Sequence, residues 1–438
     1  MCKNIAQKIN LKYNNIKKDG GVMILAYKVK NYKTFKNEVG MSFKADMRIK
    51  HFKANTNHIG NTRILKTIGV YGPNNTGKTC LLNSIYALKS IMLNERVSDI
   101  YNSFYNDYVT RFDITYEFNG NVYKYSVEYD SMNCEYLFEQ LDKFVLTEHN
   151  NYSVENIFVR NRDRIDISLN NAIPVSLLNN YYPLFMMLSL KGTELEIAQN
   201  DYISFAKSIQ IINMELPMII NKTLELMQKD EKAKRFIISF AKNCDLNIED
   251  LGYSNSIVCD INKSISEKLS KYVNNESLNK ELLKIWTKHH NHVVPSVLFD
   301  SIGTRKLVAL AGYIYDAIVN GGVLIIDELD SSLHHVIIRA IIALFNNELN
   351  QKSQLVFSTH DALTMDLRRL FRKDQIYLTD ITDKGNNKLI RLSKEYTSRD
   401  ENGIRGNEDI VDYYLKGRFG GVPTPDLFDS LYEVLSDE

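Results

Sequence analysis

The stretch GPNNTGKT, residues 72–79, has the spacing G-x-x-x-x-G-K-T. Ahead of it runs Ile68-Gly69-Val70-Tyr71, an apolar strand-like segment, and behind it Cys80 to Ile91 sets apolar residues at three- and four-residue steps. Strand, glycine-bearing turn, Lys-Thr and helix in that order predict a phosphate-binding loop rather than an ordinary Gly-Asn turn. Gly72 and Gly77 have no Cβ to obstruct backbone N–H groups converging on phosphate oxygens, and Asn74, Asn75 and Thr76 fill out the turn. The helix that follows offers its positive end. Lys78 is expected to reach the β- and γ-phosphates, and Thr79 to place its hydroxyl on Mg²⁺.

What the phosphate chemistry serves is decided downstream. In GGVLIIDELDSSLHH (321–335) four apolar residues run into two carboxylates and then a turn, the pattern of a buried strand ending at a catalytic edge. Asp327 would hold Mg²⁺, directly or through water, and Glu328 would orient and deprotonate the attacking water. The next strand, QLVFSTHDALTM (354–365), ends at His360, which can hydrogen-bond a γ-phosphate or the lytic water. In FDSIGTRKLVALAGYIYDAIV (299–319), apolar residues at 307, 310, 311, 314 and 318 describe an amphipathic helix. Ser301, Gly303 and Thr304 stand at its start, where small residues leave helix N–H donors open to an anion. In isolation this would be an N-cap; ahead of the Asp-Glu strand it resembles the signature of ABC-class ATPases, where one subunit completes the other's ATP site. A GTPase or hexameric motor would bring the Asp-Glu strand much closer to the loop than the 249 positions between Lys78 and Asp327.

The bulk properties are permissive. The 438 residues can hold a large core and two or three subdomains. With 54 basic and 53 acidic side chains the net charge advertises no polyanion, so a nucleic-acid partner would need a local patch. Lysine-bearing runs such as KVKNYKTFK (28–36) and KDEKAKRF (229–236) are expected as solvated faces. Five scattered cysteines without C-x-x-C spacing, no secretory leader and no 18-residue apolar run point to a reducing cytoplasm and no membrane. The polar segment 1–22 reads as a flexible extension, and its DGGVM sequence is compatible with Met23 as the natural start.

Three middle segments are expected. Residues 23–190 form a first ATPase lobe with the phosphate loop and a hairpin across 111–130 turning at Asn119-Gly120. Residues 191–292 read mainly helical, interrupted at Pro217 and too short for a long coiled coil. Residues 293–396 form a second lobe with signature, Asp-Glu strand and His360, and 397–438 form a tail. KHHNH (288–292) invites zinc or an HNH nuclease, but three histidines within a few positions lack a second ligand pair, and VVPSVLFD beside them reads as a strand rather than a ββα frame. About 40 residues follow Tyr396, too few for a Toprim nuclease domain.

VKNYKTFKNEVGMSF, GPNNTGKT, DSIGTRK, IIDELDSSLH, STHD and YYLKGRFGGVP, in order from Met23 to Pro423, resemble the bacterial AAA/ABC-type ATPases of the RloA/AbiL-like abortive-infection group, related to RecF and SMC ATPase heads. That group usually has Glu where Asp300 stands and often Pro where His335 stands. The resemblance implies an α/β fold, an ABC-type head with a two-lobed mixed sheet and a helical insertion, that binds and hydrolyses ATP with Mg²⁺ between two copies of itself. It further implies a sensor or switch for a nuclease or toxin encoded nearby in phage defence. A RecF/SMC-like head gripping DNA directly is the alternative, and a nucleotide-binding module without turnover is a third, against which Glu328 argues. No glutamine between 100 and 145 stands out as the usual Q-loop.

Overall fold

In a computed structural model the chain is described at residues 21–95, 107–146, 152–162, 164–168, 179–244, 246–254, 284–382, 385–396 and 409–420, with a few isolated positions besides. It opens with β1 (Val22–Lys30), β2 (Val39–Ser42), β3 (Thr56–Ile59), β4 (Thr62–Leu65), β5 (Thr67–Tyr71) and α1 (Lys78–Met92). A meander follows: β6 (Val109–Phe118), β7 (Asn121–Asp130), β8 (Glu135–Leu146), β9 (Tyr152–Asn161) and β10 (Arg164–Ile167). Then come α2 (Glu196–Ser208), β11 (Ile209–Asn213), α3 (Leu216–Lys229), α4 (Glu231–Asn243) and β12 (Asp250–Tyr253). The second half holds β13 (Ile285–His289), β14 (His292–Pro295), α5 (Ile302–Asn320), β15 (Gly322–Asp327), α6 (His335–Phe345), β16 (Ser353–Thr359), β17 (Ile376–Ile381), β18 (Asn387–Arg391) and α7 (Ile410–Leu415).

The expected hairpin is β6–β7, paired from Val109↔Asp130 to Phe118↔Asn121, with both turn residues at positive φ. It belongs to a seven-stranded antiparallel sheet ordered β10-β9-β8-β7-β6-β1-β2. The second sheet, β11-β15-β16-β5-β17-β18, is parallel except for β18. Its central strands are rich in apolar residues and buried along their length because they are covered on both faces. Alternation then sorts their side chains: Ile68, Val70, Val323, Ile325 and Val356 join α1, α2 and the antiparallel sheet in one core. Leu324, Ile326, Leu355, Phe357 and Leu378 join α3, α5 and α6 in the other. Gln354 ties the layers, accepting from Ile24 N and donating to the carbonyls of Ile24 and Leu65.

The parallel sheet draws strands from each of the three middle segments. The interruption expected at Pro217 falls earlier: α2 ends at Ser208, and Ile209–Asn213 pairs in parallel with Val323–Asp327 as an edge strand, while Pro217 sits in the first turn of α3. Open space beside β15 overrode the local helical spacing. VVPSVLFD divides similarly, into β14 and a single helical turn, Ser296–Phe299. KVKNYKTFK is not simply a solvated face, because Val29, Tyr32 and Phe35 are buried between its lysines. In the tail, Ile410, Tyr414 and Phe419 pack into the second core. Residues 1–20 lie outside the described ones. No helix among the described residues is long and apolar enough to cross a membrane.

Candidate nucleotide site

Parallel strands send their carboxyl ends to one edge, where the loops of an open α/β sheet form a crevice. Three strands deliver the predicted residues there: β5 leads into 72–79, β15 ends at Asp327, and β16 ends one residue before His360. β16 lies between the other two, so chemistry distant in sequence meets across two strand widths.

The loop is built tightly. Gly77, at φ 101, caps α1, and a Cβ there would stand 2.7 Å from the Phe35 ring and 3.0 Å from Asn387 Nδ2. Thr76 Oγ1 donates to Pro73 O at 2.8 Å and meets Thr379 Oγ1 at 2.6 Å, so its hydroxyl shapes the loop from within. Asn74, Asn75 and Thr79 are exposed. Lys78 is buried, and its Nζ donates to the carbonyls of Gly72 and Pro73, each at 2.8 Å. Burial lowers its ammonium to about 8, against the opposing pull of Asp327, Asp330 and Glu328. A third contact, 3.3 Å to His360 Nδ1, requires the imidazole nitrogen to accept, because an ammonium only donates; Nε2 then carries the ring proton.

Asp327 and Glu328 share one organiser. Ser358 Oγ donates to Asp327 Oδ1 at 2.5 Å and accepts from Glu328 N at 2.8 Å. Glu328 itself is exposed and held at φ 52, a left-handed conformation unusual for a side chain of this size. Asp330 accepts from His360 N through Oδ2 at 3.0 Å, while its buried Oδ1 has no hydrogen-bond partner. A hydroxyl at Thr79 and a carboxylate at Asp327 are the oxygen donors a hard divalent cation takes, and the unpartnered Asp330 oxygen marks a site with acceptor capacity to spare. Sequence inspection passed over Ser358, Asp330 and Thr379. The first two lie inside the STHD and DELD motifs and were within reach of it, whereas Thr379 gives no local signal.

The signature residues have contacts of their own. Ser301 Oγ accepts from Thr304 N at 3.1 Å and contacts Thr304 Oγ1 at 2.9 Å, so it is the N-cap of α5. Gly303 lies against the turn after Glu328, where a Cβ would come within 2.3 Å of Ser332 O. Lys306 Nζ donates to Ser331 Oγ at 2.8 Å, fastening helix to turn. No hydrogen bond joins Ser301, Gly303 or Thr304 to the phosphate loop among the described residues.

No curated protein matches the chain. Among solved structures it is similar to an SMC head bound to the C-terminal winged-helix domain of ScpA, with 13% identity, a TM-score of 0.43 and coverage of 85% of this chain and 98% of that one. It is likewise similar to the SMC head domain from Thermotoga maritima, with 12% identity, a TM-score of 0.39 and coverage of 84% and 98%. For the ATPγS-bound recombination mediator RecF the figures are 12%, 0.38, 85% and 99%. Residues 68–366, from the strand entering the phosphate loop to just beyond His360, match a family model described as AAA domain, putative AbiEii toxin, Type IV TA system, and the chain belongs to that family of AAA ATPase domains.

Proposed function

We propose that this chain is an ATP hydrolase that works as a pair of heads, each signature completing the other's nucleotide site, and that the pair switches a partner nuclease or toxin in phage defence. The observation that carries it is the division of labour in the fold: loop, Asp327, Glu328 and His360 meet at one sheet edge, while the Ser301–Thr304 helix start makes no hydrogen bond to the phosphate loop among the described residues. Side chains around that edge favour a second copy. Phe299 and Ile302 flank the signature, Val336 follows the turn after Glu328 and Leu363 follows His360, and all four are more than half exposed.

Within such a site the backbone of 72–79 and Lys78 would bind the polyphosphate, and Thr79 and Asp327 would hold Mg²⁺, which would supply charge neutralisation for the transferred phosphate. Glu328, aimed outward by its left-handed backbone and the Ser358 bond, accepts the proton of the attacking water. His360 presents an Nε2–H donor toward the transferred phosphate. Ser301 and the N–H groups of Gly303 and Thr304 supply anion-binding donors to the neighbour's nucleotide.

Mixing two dead variants tests the pairing. Lys78→Ala removes phosphate binding and Ser301→Arg blocks the signature, so a mixed dimer keeps one interface with both halves intact. Phosphate release should return on mixing to about a quarter of the wild-type rate, from random pairing and one live site of two in half the dimers. Verified mixed dimers without recovery would refute the composite site.

A further inference from the structure

The histidine-rich KHHNH run is absorbed by neither the nucleotide site nor a metal site, yet one of its members points at the signature. His289 closes β13. Its Nε2 lies 2.9 Å from Asp300 Oδ1, and its Nδ1 lies 2.9 Å from Asn247 O. The other Asp300 oxygen, Oδ2, accepts from Thr287 Oγ1 at 2.8 Å, and Thr287 is buried. The Asp300 side chain is itself only 3% exposed. A carboxylate beside the surface loop that starts a helix would ordinarily sit in water; here both its oxygens are drawn into the β13–β14 hairpin.

Asp300 directly precedes Ser301, the N-cap of α5. Fixing its carboxylate fixes the backbone that delivers Ser301, Gly303 and Thr304, in addition to the Gly303–Ser332 and Lys306–Ser331 contacts. The signature turn is therefore held by two elements: the turn after Glu328, and the hairpin. The Asp300 carboxylate and the Asn247 carbonyl have no proton to give, so a ring nitrogen that carries a proton donates to the one it faces, and Nε2 also lies 3.2 Å from Thr287 Oγ1. A charge-assisted bond to a carboxylate removed from water is the stronger kind.

We infer that His289 is a positioning residue for the signature, connecting the loop after α4, through Asn247 O, to the anion-binding helix start through Asp300. The inference deepens the two-head ATPase reading and rests on it for its catalytic consequence. The same linkage gives the α3–α4 segment a mechanical route to the neighbour's nucleotide, because α4 packs on α5 and ends just ahead of Asn247.

The test uses the full-length protein with His289→Ala, Asp300→Ala and the double variant. Hydrogen exchange should quicken about tenfold at amides 301–306 and stay unchanged across α1. ATPase assays should show kcat reduced about tenfold with KM unchanged, since nucleotide capture belongs to the loop at 72–79. The double variant should be no worse than either single one, because the two residues act as a unit. His289→Gln, which keeps a donor toward Asp300, should recover most of the loss. Unchanged exchange at 301–306 overturns the inference whatever the ATPase does, and so does quickened exchange with wild-type kcat. Full turnover by Ser301→Arg would instead overturn the two-head reading.

Discussion

As the proposed phosphate ligand, Lys78 meets two opposed demands: it must be buried deeply enough to face phosphates without competing water, and charged enough to bind them. Burial brings its ammonium down to about 8. Bound polyphosphate favours the charged form, so nucleotide binding must draw a proton in wherever free Lys78 is largely neutral. ATP affinity should therefore fall as pH rises above about 8, and proton uptake should be absent well below it. Calorimetry at pH 7 and pH 9, in buffers of different ionisation heat, reads this directly: buffer-dependent binding heats are expected at pH 9 only, and equal heats there would remove the charge coupling. The sequence disclosed Lys78 because a phosphate loop is written in consecutive residues. It did not disclose that Thr379, 303 positions beyond Thr76, would meet that loop hydroxyl to hydroxyl.

Elements were legible where their signals are local. Apolar runs ending in turns predicted β5, β15 and β16; helical spacing predicted α1 and α5; Asn-Gly predicted the β6–β7 turn. Misread segments were those decided by neighbours, as at Ile209–Asn213, whose Ile-Gln-Ile-Ile pattern suits a helix or a strand until β15 stands beside it. That same hairpin carries a pH-dependent load. Glu117, next to the turn, accepts from Gly120 N at 2.6 Å but is buried, which raises its carboxyl to about 7, with Asp201 adding to the rise. In the unfolded chain a glutamate titrates near ~4.3. The folded form thus holds the proton more tightly, and the stability this confers is full below the unfolded value and is lost as pH climbs to about 7. Glu117→Gln keeps an acceptor for Gly120 and cannot ionise. It should raise the melting midpoint by roughly 2–4 °C at pH 8.5 and leave it unchanged at pH 4.5. An equal shift at both pH values would mean that ionisation is not the cause.

For the whole molecule, the proposed closure of two heads on ATP would favour one state of the proposed effector only as far as that effector binds closed and open pairs with different affinity. The single protein should then protect no host, and the pair with its effector should block phage growth. Glu328→Gln, which should keep nucleotide binding while removing the proposed base, should lock the system into constant toxicity or silence. Plaque counts and growth curves decide this, and unchanged protection with Glu328→Gln would leave the switch without support. One architectural feature also governs how the protein is made. Among the described residues β5, which leads into the phosphate loop, pairs in its sheet with β16 and β17, residues 353–359 and 376–381. Strand β5 emerges early and must wait for roughly 300 further residues, on the order of 15–60 s of bacterial synthesis. The meander β6–β10 can pair with itself in that interval. A ribosome-bound chain can therefore carry the meander formed for nearly half of its synthesis, with the strand that leads into the phosphate loop still an unpaired, apolar segment for holding chaperones to shield.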